Sequence, residues 1–265
     1  MGKFFNVDLN PDVVAEDISV LIATNKTHTD VGANDIIFNW QAIDVPKGSC
    51  MLRSISAIIN GEDGAYGSGS LTDYELIFAR SVNGVAPPSI GLTNSTGQLC
   101  FALRHHYVGS VMLDSVAAKT HVTNLGFHVG LVSGVNPSQD FNSGLPLVID
   151  LEPESGTNVG YDKLYVCAFQ MAARHYCTAV ESTETIDASS AEKKTIAVDG
   201  TDAKKIFSPG DTVYVHDLDT PIPGTLTTVA TNLLTFSETN STVDVAEDDE
   251  LLTANPIRIK LGFER

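Results

Sequence analysis

Ser208, Pro209 and Gly210 form a turn that Asp211 can close, and the pattern that follows constrains the fold more than any other stretch. Val213 and Val215 alternate with Thr212, Tyr214 and His216, the two-residue period of a strand with one buried face. Four more short runs follow, at 224–231, 233–237, 250–253 and 256–263, divided by turn residues. Five such runs close together predict a small closed β-barrel of SH3-like or OB-like type.

The preceding chain predicts further strands and little helix. Phe4, Phe5, Val7 and Leu9 precede Pro11 in an extended pattern, either a first strand or an arm laid on a neighbouring subunit. Residues 18–23 read as a strand, and 36–43 and 50–59 as an antiparallel pair joined through the turn chemistry of 45–48. Strands are also predicted at 73–80, 99–107, 111–114, 121–132, 146–151 and 163–170, with a short helix at 115–119. Polar loops at 60–70, 81–97, 136–144 and 152–160 separate these runs, and the combination predicts a jelly-roll-like β-sandwich. From Glu181 to Glu192 the chain is polar and small and has no aromatic residue. The predicted organisation is therefore a sandwich domain at 1–182, a linker at 183–193 and a barrel domain at 194–265.

Charge narrows the function. The chain has 265 residues with 33 acidic against 16 basic, a net charge of −17. A nucleic-acid binder needs clustered Lys and Arg to displace counterions from phosphates, so direct binding to nucleic acid is not expected. Adsorption to an anionic membrane is disfavoured on the same ground, and no apolar run approaches the length of a membrane span. The start of the sequence has no apolar stretch typical of a secretory leader, and Asn6 stands where a myristoylation signal has Ser or Thr. Cys50, Cys100, Cys167 and Cys177 lie among apolar neighbours without Cys-x-x-Cys spacing, which predicts buried free thiols and not a zinc site.

Gly61, Gly64, Gly67 and Gly69 lack the Lys-Ser/Thr ending and following helix of a phosphate loop, so they predict a hairpin loop. His105 and His106, adjacent in a strand-like run, would face opposite ways, and His121 and His128 would be split across a continuous strand. The acidic groups Asp199/Asp202, Asp217/Asp219 and Glu247–Glu250 could offer oxygens to calcium but carry no EF-hand spacing and read as solvated turns. Asp150, Glu152 and Glu154 are the only carboxylates that suggest a pair for sugar cleavage, and their place at a strand end is explained by solubility. Trp40 reads as core. No catalytic, cofactor or metal residue is therefore predicted, and no cofactor.

The C-terminal runs carry a resemblance. Phe207 through Val215, with Gly210 and Asp211 before the strand, are followed by Gly224, Leu226 and Val229, by Leu233 through Phe236, and by an acidic turn before Leu251 and Leu252. This rhythm resembles small barrel modules of tailed-bacteriophage virion proteins, and it covers about a third of the chain. The long-looped first part is similar in general character to capsid decoration and tail-associated proteins. The resemblance implies a non-enzymatic structural protein of the virion, assembled in the host cytoplasm: a capsid decoration or cement protein on the shell exterior. Its implied partners are the major capsid protein or other virion proteins, together with further copies of itself as a homo-oligomer, a trimer being one form. Such proteins act through surfaces, so no functional residue carries over. The alternatives are a tail-associated or secreted glycan-binding, lectin-like module using loop aromatics such as Tyr66, and a polysaccharide enzyme using Asp150 and Glu152.

Overall fold

A computed structural model describes residues 2–11, 13, 32–60, 73–97, 99–113, 119–122, 125–131, 146–151, 161–172, 179–188, 193–199, 203–215 and 220–265. The strands in chain order are β1 (Phe4–Leu9), β2 (Ile36–Pro46), β3 (Cys50–Asn60), β4 (Tyr74–Arg80), β5 (Tyr107–Leu113), β6 (Lys119–Val122), β7 (Leu125–Leu131) and β8 (Leu147–Ile149). They continue as β9 (Tyr161–Gln170), β10 (Ala179–Glu181), β11 (Lys193–Ala197), β12 (Val213–Val215), β13 (Leu226–Ala230), β14 (Leu233–Asn240), β15 (Glu250–Thr253) and β16 (Ile257–Glu264). The fold is all-β, built of several antiparallel sheets; among the described residues no helix is long and apolar enough to cross a membrane.

A six-stranded sheet runs β1-β16-β3-β7-β6, with β8 also on β3, and a four-stranded sheet runs β2-β9-β4-β5. One buried cluster draws on both: Leu52, Ile55 and Ala57 of β3 and Ile259, Leu261 and Phe263 of β16 meet Phe38, Leu76, Phe78, Val111 and Val166 of the smaller sheet. Alternation explains the register, because β16 buries Ile257, Ile259 and Leu261 while Arg258 and Lys260 between them stay exposed. Phe5 of β1 stacks on Phe263, with ring centroids 5.1 Å apart.

Two three-stranded sheets, β10-β15-β12 and β11-β14-β13, share a second buried cluster that includes Ile196, Phe207, Val213, Leu226, Leu234, Phe236 and Leu251. Four of the five runs expected to form the barrel are here. The fifth is not: β16 pairs with β1 along its length on one side and with β3 on the other, inside the six-stranded sheet. The second cluster is thus an excursion of the chain between β9 and β16.

Other expectations are corrected in the same way. β2 and β3 do not pair; Pro46 through the left-handed Gly48 (φ 96°) carries the chain from one large sheet to the other. That choice buries an apolar face of each strand in the common core. The continuous strand expected at 121–132 is instead a hairpin of β6 and β7. The strand expected at 99–107 is a 3-10 turn, Phe101–His105, that leads into β5. Phe4–Leu9 is a strand on its own chain's β16, as the first of the two readings of that segment has it. The expected strand at 18–23 and the loops at 61–70, 136–144 and 152–160 lie outside the described residues, as does most of the helix expected at 115–119.

The stretch expected to be a linker is partly tied into the second cluster. Ser182 bridges Val198, and Ile186, almost fully buried, bridges Val245. Glu184 receives the Ala197 N–H at 2.8 Å and the Lys193 ammonium at 2.5 Å. Burial works to raise the Glu184 carboxyl, but these two partners outweigh it and hold it below the usual carboxylate value. Its stabilising contribution is therefore present above the unfolded-state pKa and lost as pH falls through the folded one. Glu184→Gln is expected to flatten that acid-side loss while leaving the melting midpoint at neutral pH lower by only a few degrees, read by thermal melts across pH.

The two clusters are joined at one node. The Thr212 N–H donates to Asn255 Oδ1 at 2.9 Å, Asn255 Nδ2 donates to the Pro11 carbonyl at 3.2 Å, and the Val13 N–H donates to the Ala254 carbonyl at 2.9 Å. Beside it, Arg258 of β16 reaches the Asp211 carboxylate at 2.7 Å, and that carboxylate also accepts the Ser208 N–H at 2.8 Å. The Ser-Pro-Gly-Asp turn is thereby fixed to the six-stranded sheet.

Candidate docking surface

The outer face of the four-stranded sheet is apolar as well. Ile36, Ile77, Cys167 and Phe169 form one buried group on it, and Ala79 and Tyr165 another, with half-buried Trp40 packed against both. A strand face of this composition must be covered, and residues 82–106 cover it. Ile90 is buried in the first group and Leu103, from the 3-10 turn, in the second.

The cover is tied down along its length. Val82 and Val85 exchange backbone hydrogen bonds of 2.9 and 3.0 Å around Asn83 and Gly84, both left-handed (φ 52° and 77°), the two-residue turn that suits Asn-Gly. Trp40 Nε1–H donates to the Pro88 carbonyl at 2.9 Å, and Asn39 Nδ2 donates to the Gly91 carbonyl at 2.7 Å. Asn94 N–H donates to the Ile36 carbonyl and Ile36 N–H to the Ser95 carbonyl. His106 Nδ1 sits 2.8 Å from the Arg80 carbonyl, which it meets as the donor, while Arg80 N–H donates to the His106 carbonyl at 2.8 Å. Gly97 lies so close to Phe169 that an added Cβ would stand 2.3 Å from the ring. Gly97→Ala is accordingly expected to cost about 1–3 kcal/mol through overpacking, seen as a lowered Tm and faster proteolytic cleavage within the cover.

This anchored segment presents large apolar side chains to solvent. Phe101 is 80% exposed, and Val85, Leu92, Leu99 and Tyr107 are each about half exposed or more. Exposed single apolar residues are ordinary, but four of these stand on the one pinned segment and Tyr107 opens β5 directly after it, which makes the segment the candidate contact surface. The Arg104 guanidinium lies 3.6 Å over the Phe101 ring, and its Nε–H donates to His105 Nε2 at 3.0 Å. Cys100, expected to be buried, is exposed between Leu99 and Phe101; Cys50 and Cys167 are buried as expected. Burial pushes the Cys50 thiol up to about 11, with Arg265 pulling the other way, so Cys50 stays a neutral thiol at physiological pH.

The sequence reading passed over this surface although a signal was there. Between Glu75 and Asp114 the chain has no Asp or Glu, in a protein with 33 of them. Arg80 and Arg104 are the charged residues of that stretch, with His105 and His106 beside them. The Asp35 carboxylate borders it, accepting from Thr96 Oγ1 at 3.1 Å, and the backbone carbonyl of Asp150 accepts from Arg80 Nη1 at 2.7 Å.

The other candidates do not converge. Asp150 is exposed and its carboxylate accepts a long bond from Ser49 Oγ, 3.4 Å; Glu152 and Glu154 lie outside the described residues. His105 and His106 sit at the end of the 3-10 turn and not in a strand, each engaged as above. Among the described residues no group of three or more His, Cys, Asp or Glu is placed to hold a metal ion. In the acidic turn, Asp249 is used structurally, its carboxylate accepting the Ala246 N–H at 2.7 Å, with Asp248 in a left-handed conformation (φ 70°). Tyr66, the glycine loop, Cys177, Asp202, Asp217 and Asp219 fall outside the described residues. No protein-family model matches the sequence, and no curated protein or solved structure matches the chain.

Proposed function

We propose that the chain is a non-enzymatic structural protein of a tailed-phage particle, a decoration or cement protein of the capsid exterior. In this reading the two large sheets are its sandwich and the two three-stranded sheets its small barrel-like unit, set into the sandwich rather than following it. The observation that carries the proposal is the cover at 82–107: a pinned, acid-free segment that holds Leu99, Phe101 and Tyr107 out to solvent. Its hydrogen bonds hold the segment in place before any partner arrives, so little ordering entropy opposes contact. The strongly acidic remainder keeps the chain soluble and faces outward, with the major capsid protein or other virion proteins as neighbours.

The lectin-like alternative asks for aromatic rings with a free face to stack on sugar. Among the described residues the most exposed ring, Phe101, has one face taken by Arg104, which favours a protein contact. An antibody against the purified chain tests the proposal. Labelling of the outer shell of intact particles in negative-stain microscopy is the expected result, and particles that stay unlabelled while the lysate reacts would overturn it.

A further inference from the structure

We infer that a cleft on the outer face of the six-stranded sheet binds a small organic anion, its charge between Arg258 and Lys260 and its apolar body against Ile58 and Pro209. The cleft has a volume of about 400 Å³, within the range of small-molecule sites, and stands apart from the contact segment at 82–107. Alternation and register build it. Arg258 and Lys260 are two residues apart in β16, so both point away from the core, about 7 Å from one another along the strand. Lys260 stands directly across from Asp8 of β1 on one side and Ser56 of β3 on the other, and Arg258 stands across from Ile58. Residues opposed in this way share a face. Pro209, exposed on the Ser-Pro-Gly-Asp turn, supplies a wall from outside the sheet. Asp211 fixes that turn, so the cleft is formed before a ligand arrives.

The charges decide what the cleft takes. Two cations and one carboxylate line it, the reverse of the balance in the chain, where 33 acidic residues stand against 16 basic ones. Arg258 meets Asp211 through Nη2 at 2.7 Å, which leaves other N–H donors of the guanidinium for a ligand. The Asp211 side chain is 3% exposed and that of Arg258 46%, so an incoming anion meets the cation and not its partner. Lys260 and Asp8 make a loose pair, 3.5 Å apart with both side chains more than half exposed, which an anion displaces at little cost. Half-buried Ile58 and exposed Pro209 favour an anion with an apolar body over a bare inorganic ion.

Amide-resolved NMR of the full chain is the test, with benzoate, acetate and benzyl alcohol as probes. It is run at about 0.15 M NaCl, where charges beyond about 8 Å are largely screened and the lining outweighs the net −17. Benzoate is expected to shift the amides of Ser56, Ile58 and Arg258 to Lys260 with a dissociation constant on the order of 1 mM. Acetate and benzyl alcohol, each lacking one half of the ligand, are expected to bind at least about fivefold more weakly. Lys260→Gln is expected to weaken benzoate about fivefold, and Asp8→Asn, which removes the competing carboxylate, to tighten it about threefold. Both positions are more than half exposed, so Tm stays that of the parent. The site would be overturned by shifts that do not saturate or that centre elsewhere, or by acetate or benzyl alcohol binding as tightly as benzoate. An affinity that Lys260→Gln leaves unchanged, or that Asp8→Asn weakens, would overturn it equally.

Discussion

Removing residues 257–265 is expected to unfold the large sheets and not merely to trim the small unit. Ile257, Ile259, Leu261 and Phe263 are each almost completely buried, and burying such a side chain is worth about 1.5–3 kcal/mol. Their joint loss is on the order of 10 kcal/mol, comparable with the whole stability of an ordinary domain. The deletion also strips β1 of the strand it pairs with and opens one side of β3. Circular dichroism and thermal melting of a chain ending at Pro256 check this. Loss of a cooperative transition is the expected outcome. A truncated chain that melts cooperatively near the parent's Tm would show that β16 belongs with the small unit after all.

The second large effect is expected at Asp211. Its side chain is 3% exposed and holds the Ser208 N–H and the Arg258 guanidinium together. Asp211→Ala leaves a half-buried N–H and a partly buried cation without their acceptor. Removing one member of a buried pair typically costs 3–5 kcal/mol; Arg258 is nearly half exposed, which brings the expectation to about 2–4 kcal/mol by urea titration. The pH dependence runs in an unusual direction for an aspartate. Burial pushes the carboxyl above its usual value, against the opposing pull of the Ser208 N–H and Arg258. The folded chain therefore holds this proton more tightly than the unfolded chain does. The site's proton-linked contribution is full below the unfolded pKa and is lost as pH rises through the folded one. Asp211→Asn, which keeps an acceptor for the Ser208 N–H, is expected to remove that slope. A variant whose stability–pH profile stays parallel to the parent's would contradict the assignment.

Local pattern showed strands well because alternation and turn residues are local. Tyr74 to Arg80, Leu147 to Ile149 and the run within Tyr161–Gln170 lie where periodicity puts them. Partnership was not legible. Val45 to Gly48 has the chemistry of a hairpin turn, yet it connects two sheets, because both neighbouring strands bury more by facing each other across the core. Ile257 to Glu264 has the same alternation whichever sheet it joins, and its neighbours in sequence misled. Leu99 to Tyr107 looked like a strand because its apolar residues are dense, but Leu103 alone points inward while Phe101 points out. The candidate docking face escaped for a different reason: motif reading looks for residues that are present, and the marker here is a missing residue type, the absence of Asp and Glu between positions 75 and 114.

The central claim, a structural role in a phage particle, is tested most directly by quantitative mass spectrometry of purified particles from the source culture. The account predicts copy numbers in the same range as the major shell protein, as a decoration protein requires. Absence of the chain from the particles, with the protein found only in the surrounding lysate, would contradict it.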